Sequence, residues 1–210
     1  MSIIAENKGG TRETIPAGNY VARCYSMVHM GTSIENIQGI EKSLNKVRIG
    51  WELPTEMRVF KEENGEQPMV ISQEYTLSMH EKSNLRKMLE SWRGKSFTEE
   101  QATSFDITAL MGISCMLNVI HKTSGNGSVY SNIASVSSIP KGLECPPQIH
   151  EGFEFNFQDK FSNEVVESFP DFIKDRIKAS DEYKEVTNDA IPVAPVADNV
   201  DPINVDDLPF

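Results

Sequence analysis

The eight residues Lys46-Val47-Arg48-Ile49-Gly50-Trp51-Glu52-Leu53 alternate without a break, and no other stretch of the 210-residue chain limits its fold so tightly. Successive side chains of an extended strand point to opposite faces. Val47, Ile49, Trp51 and Leu53 therefore share one face, while Lys46, Arg48, Gly50 and Glu52 take the other. A helix would scatter the four apolar residues around its circumference. The segment reads as a half-buried strand with one face in a core. Pro54, which has no N–H for a ladder, is expected to end it.

The neighbouring segments read as further strands. Residues 18–32 (GNYVARCYSMVHMGT) are rich in aromatic and β-branched residues and close on Gly-Thr, which predicts a long first strand. Residues 33–43 read as a polar connection. Arg58-Val59-Phe60 and Met69-Val70-Ile71-Ser72 flank Asn64-Gly65, a pair suited to the positive φ angles of a tight hairpin. Leu85, Met88, Leu89 and Trp92 then follow helical spacing, with Ser83 as N-cap and Gly94 as stop. Residues 114–122 and 129–139 read as two last strands joined by the turn Ser124-Gly125-Asn126-Gly127-Ser128.

Three strands, a helix and two strands is the element order of an OB-fold, a mainly β, five-stranded Greek-key barrel with its helix between strands 3 and 4. An α/β sheet is disfavoured, because only one good helix separates strands. The organisation expected is a barrel over residues 1–142, an extension over 143–187 and a tail over 188–210. The extension holds Phe153, Phe155, Phe157 and Phe161, then a helical stretch restarting at Pro170 with Phe172, Ile173, Ile177 and Tyr183 as its stripe. Two readings of it stay open: packing on the barrel, or an oligomer or partner contact. From Asn188 onward there is neither Lys nor Arg, and four prolines alternate with small apolar residues and Asp, a composition that predicts disorder.

The formal charge of −11 looks hostile to nucleic acid. It is unevenly spread. Residues 1–150 hold 15 Lys+Arg against 16 Asp+Glu, whereas residues 151–210 hold 5 against 15. The body is close to neutral, and local distribution sets local potential. Single-strand binders combine cations that follow phosphates with aromatic faces on which bases stack. Arg23 and Tyr25 share a face of the first strand, and Lys46 and Arg48 share one of the second, with Gly50 leaving room for a base. Phe60 and Lys61 lie on the hairpin, and Lys122 and Tyr130 flank the last turn. Trp51 is a further stacking candidate, although its face is that of the core.

The chain ends Asp206-Asp207-Leu208-Pro209-Phe210, which offers two carboxylates, an α-carboxylate and a terminal ring to a partner with a basic rim and an apolar pocket. This ending resembles the acidic tip of bacterial and phage single-stranded DNA-binding proteins, of the form Asp-Asp-aliphatic-Pro-Phe, and the body looks like a divergent phage-encoded relative. The resemblance implies an OB-fold that binds single-stranded DNA in replication, recombination or repair. It also implies that residues 206–210 recruit replication or recombination proteins. Residues 143–185 have no counterpart in the family's usual glycine- and glutamine-rich linker. The alternative reading is an OB-like adaptor, or a mimic of the tip, that binds no DNA.

No catalytic motif is present: no G-x-S-x-G, no Walker loop and no H-E-x-x-H. Neither an enzyme nor a cofactor is expected. Cys24, Cys115 and Cys145 are odd in number and far apart, and the histidines show no ligand spacing with them, so neither disulfides nor a metal site is expected. No run of about 18 apolar residues exists, and the start of the chain lacks a secretory pattern, so a cytoplasmic protein without a membrane span is expected.

Overall fold

A computed structural model describes residues 14–188. Strands β1 (Gly18–Ile37), β2 (Ile40–Val59), β3 (Glu66–Thr76), β4 (Ser114–Thr123) and β5 (Val129–Ser137) form one antiparallel sheet in the order β3-β2-β1-β4-β5. The order β4-β1-β2-β3 within it is a Greek key. A short strand β6 (Phe153–Phe155) pairs in parallel with residues 26–28 of β1. The sheet is open: β3 and β5 are its two edges and are not paired with each other.

Helix α1 (Asn84–Arg93) follows the expectation closely. Ser83 accepts from the Arg86 N–H as N-cap, Gly94 takes the left-handed conformation at φ 68°, and Leu85, Met88, Leu89 and Trp92 are buried. They pack on the apolar face of β2, where Ile49, Trp51 and Leu53 are fully buried. A short helix α2 (Glu99–Thr103) and a 3₁₀ turn at Ile107–Leu110 complete this inner layer.

The strands and their turns depart from expectation in four places, one being the β2–β3 connection, where Glu62–Asn64 form a 3₁₀ turn and Gly65 alone of the Asn-Gly pair takes positive φ, at 63°. Residues 33–43 are not a loose connection. They continue β1 and β2 as a two-stranded arm that turns at Gln38 and Gly39, with φ 54° and 84°. Both central residues of a tight hairpin need positive φ, and Gly39 adopts it freely. Pro54 does not end β2 either. The ladder to β3 skips from Leu53 to Met57, so Pro54 sits in a bulge where no N–H is required. In β1, a register shift between Cys24 and Ser26 changes the alternation, so that Met27 rather than Ser26 joins Ala22 and Cys24 in the core.

The outer face of the sheet is also covered. Helices α3 (Asn163–Ser168), α4 (Asp171–Ala179) and α5 (Asp181–Asn188) join β6 in a second apolar cluster with Val28 and Met30 of β1. Phe155, Val166 and Ile177 are its most buried members, whereas Phe172 of the expected stripe is 52 % exposed. Gly31, at φ 75°, admits the close approach of the α4–α5 junction; a Cβ there would lie 2.5 Å from that of Ser180.

Candidate nucleic-acid interface

The face of β1 and β2 turned from the core carries Arg23, Tyr25, Lys46 and Arg48, as alternation requires, but it is not open. The Arg23 guanidinium donates to three carbonyls: Gly112 at 2.7 Å, Pro146 at 3.0 Å and Cys145 at 3.0 Å. It clamps residues 145–146 across the sheet. Tyr25 packs its ring 5.2 Å from that of His150, and burial pushes its phenol up. Beside them Glu52 is fully buried. It accepts the backbone N–H groups of Ile149 and His150 at 2.7 and 2.8 Å and contacts His150 Nδ1 at 2.9 Å.

The remaining cations of this face are neutralised. Lys46 Nζ lies 2.6 Å from both oxygens of Glu35, and Arg48 donates to Glu74 at 3.1 Å with its guanidinium 5.3 Å from the Phe172 ring centre. Arg176 of α4 joins the same two carboxylates. Gly50 leaves no space for a base, because a Cβ there would meet Ser26 Oγ at 2.2 Å. Trp51 is fully buried, 5.9 Å from Trp92, and offers no ring face to a ligand. As folded here, Arg23, Tyr25, Lys46, Arg48 and Trp51 serve packing and charge balance. Arg23, Tyr25, Lys46 and Arg48 were expected on one face and Trp51 on the core face of its strand, and the expectation that the first face receives DNA meets a covered surface.

Four other expected residues are accessible, and the topology brings them to one end of the sheet. β1 starts at Gly18 opposite Val119, and just before it the Ile15 carbonyl accepts from Ser131 Oγ at 3.0 Å and meets the His121 ring nitrogen at 2.8 Å. The β4–β5 hairpin therefore flanks the start of β1 on one side. The end of β2 flanks it on the other, because β2 runs antiparallel to β1 and its residues beyond Glu52, the partner of Arg23, head back toward the start of β1. From this end project Phe60, 56 % exposed, and Tyr130, 43 % exposed. Lys61 adjoins Phe60 and is only loosely paired with Glu63 at 3.9 Å. Lys122 lies directly across the ladder from Tyr130 and makes no ion pair among the described residues.

A second accessible feature was not foreseen. Between the sheet edges β3 and β5, under α1, lies a cleft of about 590 Å³. Gln73 and Glu74, Lys82 and Lys87, and Ser135 are among its lining residues. The sequence signal was slight: one lysine just before α1 and one on its exposed side, Lys82 and Lys87, and a Gln where β3 otherwise sends Ile71 and Tyr75 inward. Residues 206–210 lie outside the described residues.

Among the described residues no group of three or more His, Cys, Asp or Glu could hold a metal ion, and no helix is long and apolar enough to cross a membrane. Burial pushes the Cys24 thiol up to about 12 and raises that of Cys115 as well, which suits packed rather than reactive thiols. No protein-family model matches the chain, and no curated protein matches its sequence.

Proposed function

We propose that the chain binds single-stranded DNA without sequence preference and recruits replication or recombination proteins through residues 206–210. The observation that carries this reading is the pairing of exposed aromatic and cation at one end of the sheet, Phe60 with Lys61 and Tyr130 with Lys122. Bases would stack on the two rings while the ammonium groups follow the phosphates. The Greek-key order with α1 between β3 and β4 supports an OB-type barrel left open between β3 and β5.

Binding of oligo(dT) against duplex, followed across a salt series, tests this reading. Stacking contributes about 1–3 kcal/mol per base, so Phe60→Ala and Tyr130→Ala should each weaken oligo(dT) roughly 5- to 150-fold. Equal affinity for duplex, or unchanged affinity in both variants, would sink it. Deleting residues 203–210 should leave oligo(dT) affinity intact while abolishing capture of a replication or recombination partner.

The neutralisation of Lys46 and Arg48 by Glu35 and Glu74 favours a second reading, an adaptor that binds protein and no DNA. Absence of oligo(dT) binding even at low salt would select it.

A further inference from the structure

We infer that the cleft between β3, α1 and β5 is a second nucleotide-contacting site, in which Lys82 and Lys87 hold backbone phosphate and the Gln73 amide reads the edge of an unpaired base. This inference rests on the single-strand reading and adds to it a site remote from the hairpin end.

The cleft follows from the open sheet. α1 bridges the two edges and is held to β5 by Ser91, whose Oγ donates to the Val136 carbonyl at 2.6 Å and whose carbonyl accepts the Ser138 N–H at 3.3 Å. The recess left on the β3 side, about 590 Å³, falls within the range of roughly 300–1,000 Å³ common for small-ligand sites.

Its charge suits an anion. Lys82 and Lys87 are exposed and make no ion pair among the described residues. Glu74 is the carboxylate in the lining, and its two oxygens are taken by Arg48 and Arg176. Lys46 is likewise held by Glu35. Two uncompensated ammonium groups remain, and phosphate is what such groups attract.

Gln73 supplies the other half. It pairs across the ladder with Ile49, whose side chain is fully buried, so it points to the inner side of β3 at the mouth of the core. Its Oε1 is shielded from solvent and has no donor partner. Such orphan acceptors are rare because they forfeit a water hydrogen bond without replacement. An amide offers one acceptor and two donors; turned from its shielded position into the cleft, and in either flip, it matches a donor–acceptor pair on the edge of any unpaired base, the N3–H and a carbonyl in the case of thymine. In a duplex the same base edge is spent on its partner, so the amide would favour single strands.

The full chain titrated with oligo(dT) over a salt series, as wild type, as the double variant Lys82→Gln/Lys87→Gln, and as Gln73→Leu, tests the inference. Each phosphate contact on a single strand contributes about −0.7 to the slope of log K against log[salt], so the double variant should lose about 1.4 from that slope. Gln73→Leu should keep the slope, bind about threefold to tenfold more weakly, and melt at a higher temperature without DNA, because the orphan is gone. If wild type binds oligo(dT) and the double variant keeps the full slope, the cleft inference is overturned while the single-strand reading stands. If wild type does not bind oligo(dT) at all, that reading itself fails. Amide shifts at Gln73 with thymidine 5′-monophosphate, absent with inorganic phosphate, would support the base contact; equal shifts with both would reduce the cleft to an anion site and overturn it.

Discussion

The two faces of the β1–β2 pair are sealed by different means. The inner face is closed by α1 with apolar side chains, Ile49, Trp51 and Leu53 lying in one cluster with Leu85, Leu89 and Trp92, while the hydrogen bonds of α1 from Ser91 and Trp92 go to the β4–β5 side of the sheet. The outer face is closed by chain from beyond residue 140, through a phenylalanine cluster at one place and through charge at another. An apolar face has one use, to be buried. A face of alternating cations, tyrosine and carboxylate can receive either a ligand or a segment of its own chain. In this protein Glu35 and Glu74 meet the cations Lys46, Arg48 and Arg176, and Glu52 takes the backbone N–H groups of residues 149 and 150.

The largest test of this contrast compares Trp51→Ala with Phe155→Ala. Both residues are fully buried, and truncation of either should cost about 3–5 kcal/mol. Trp51→Ala should lower the midpoint of the whole unfolding transition. Phe155→Ala should instead release the outer layer first, so that hydrogen exchange quickens at residues 153–155 while β2 stays protected. Equal loss of protection in both layers would show that the two clusters unfold as one unit.

A smaller effect is expected from Glu52→Gln. The single amide oxygen can keep only one of the two bonds, because Ile149 and His150 donate to different carboxylate oxygens and the amide NH2 would face the other N–H, a loss of about 1.5–3 kcal/mol. Amide exchange at residues 149 and 150 should rise more than elsewhere. Unaltered exchange there would assign the anchoring of this segment to Arg23.

The smallest effect is on the acid limb, and it touches both layers. The Phe97 N–H and Arg86 hold the Glu90 carboxyl below its usual range. Burial alone would raise Glu182, but hydrogen bonds from the Thr32 hydroxyl and N–H outweigh it and hold that carboxyl low. A carboxyl depressed in the folded state contributes stability that is whole above its unfolded value, about 4.3 for Glu, and that is lost as pH falls through the folded value. Stability measured against pH should therefore fall less on the acid side in Glu90→Gln and in Glu182→Gln than in wild type. An acid limb unchanged in Glu182→Gln would mean that α5 is held to β1 by packing alone.

Local signals were legible and distant ones were not. The cap, stripe and stop of α1 lie within a dozen residues, and all three are seen. The arm of residues 33–43 carries no strand signal, because a two-stranded ribbon with solvent on both sides needs no apolar alternation; Ile34, Ile37 and Ile40 stand exposed along it. The bulge after Cys24 and the passage of β2 through Pro54 depend on what the neighbouring strand can pair with, which period two does not encode. Of the candidate site, the sharing of one face by Lys46 and Arg48 was legible, and so was the buried side of Trp51. The engagement of Arg23 by the carbonyls of Cys145 and Pro146 was not, because its partners lie more than 120 residues away.

Sequence by itself determined which side of each strand a residue takes in the central segment, because strand geometry alone sets that choice. It also placed the negative charge in the last third of the chain. Only the tertiary structure decided that the outer face of β1 and β2 is occupied, that Phe60, Lys61, Lys122 and Tyr130 share one open end, and that a cleft with two lysines unpaired among the described residues lies between β3 and β5. The physical reason is the reach of the interactions. Alternation is a property of neighbouring residues, whereas occupancy depends on segments brought together from opposite ends of the chain.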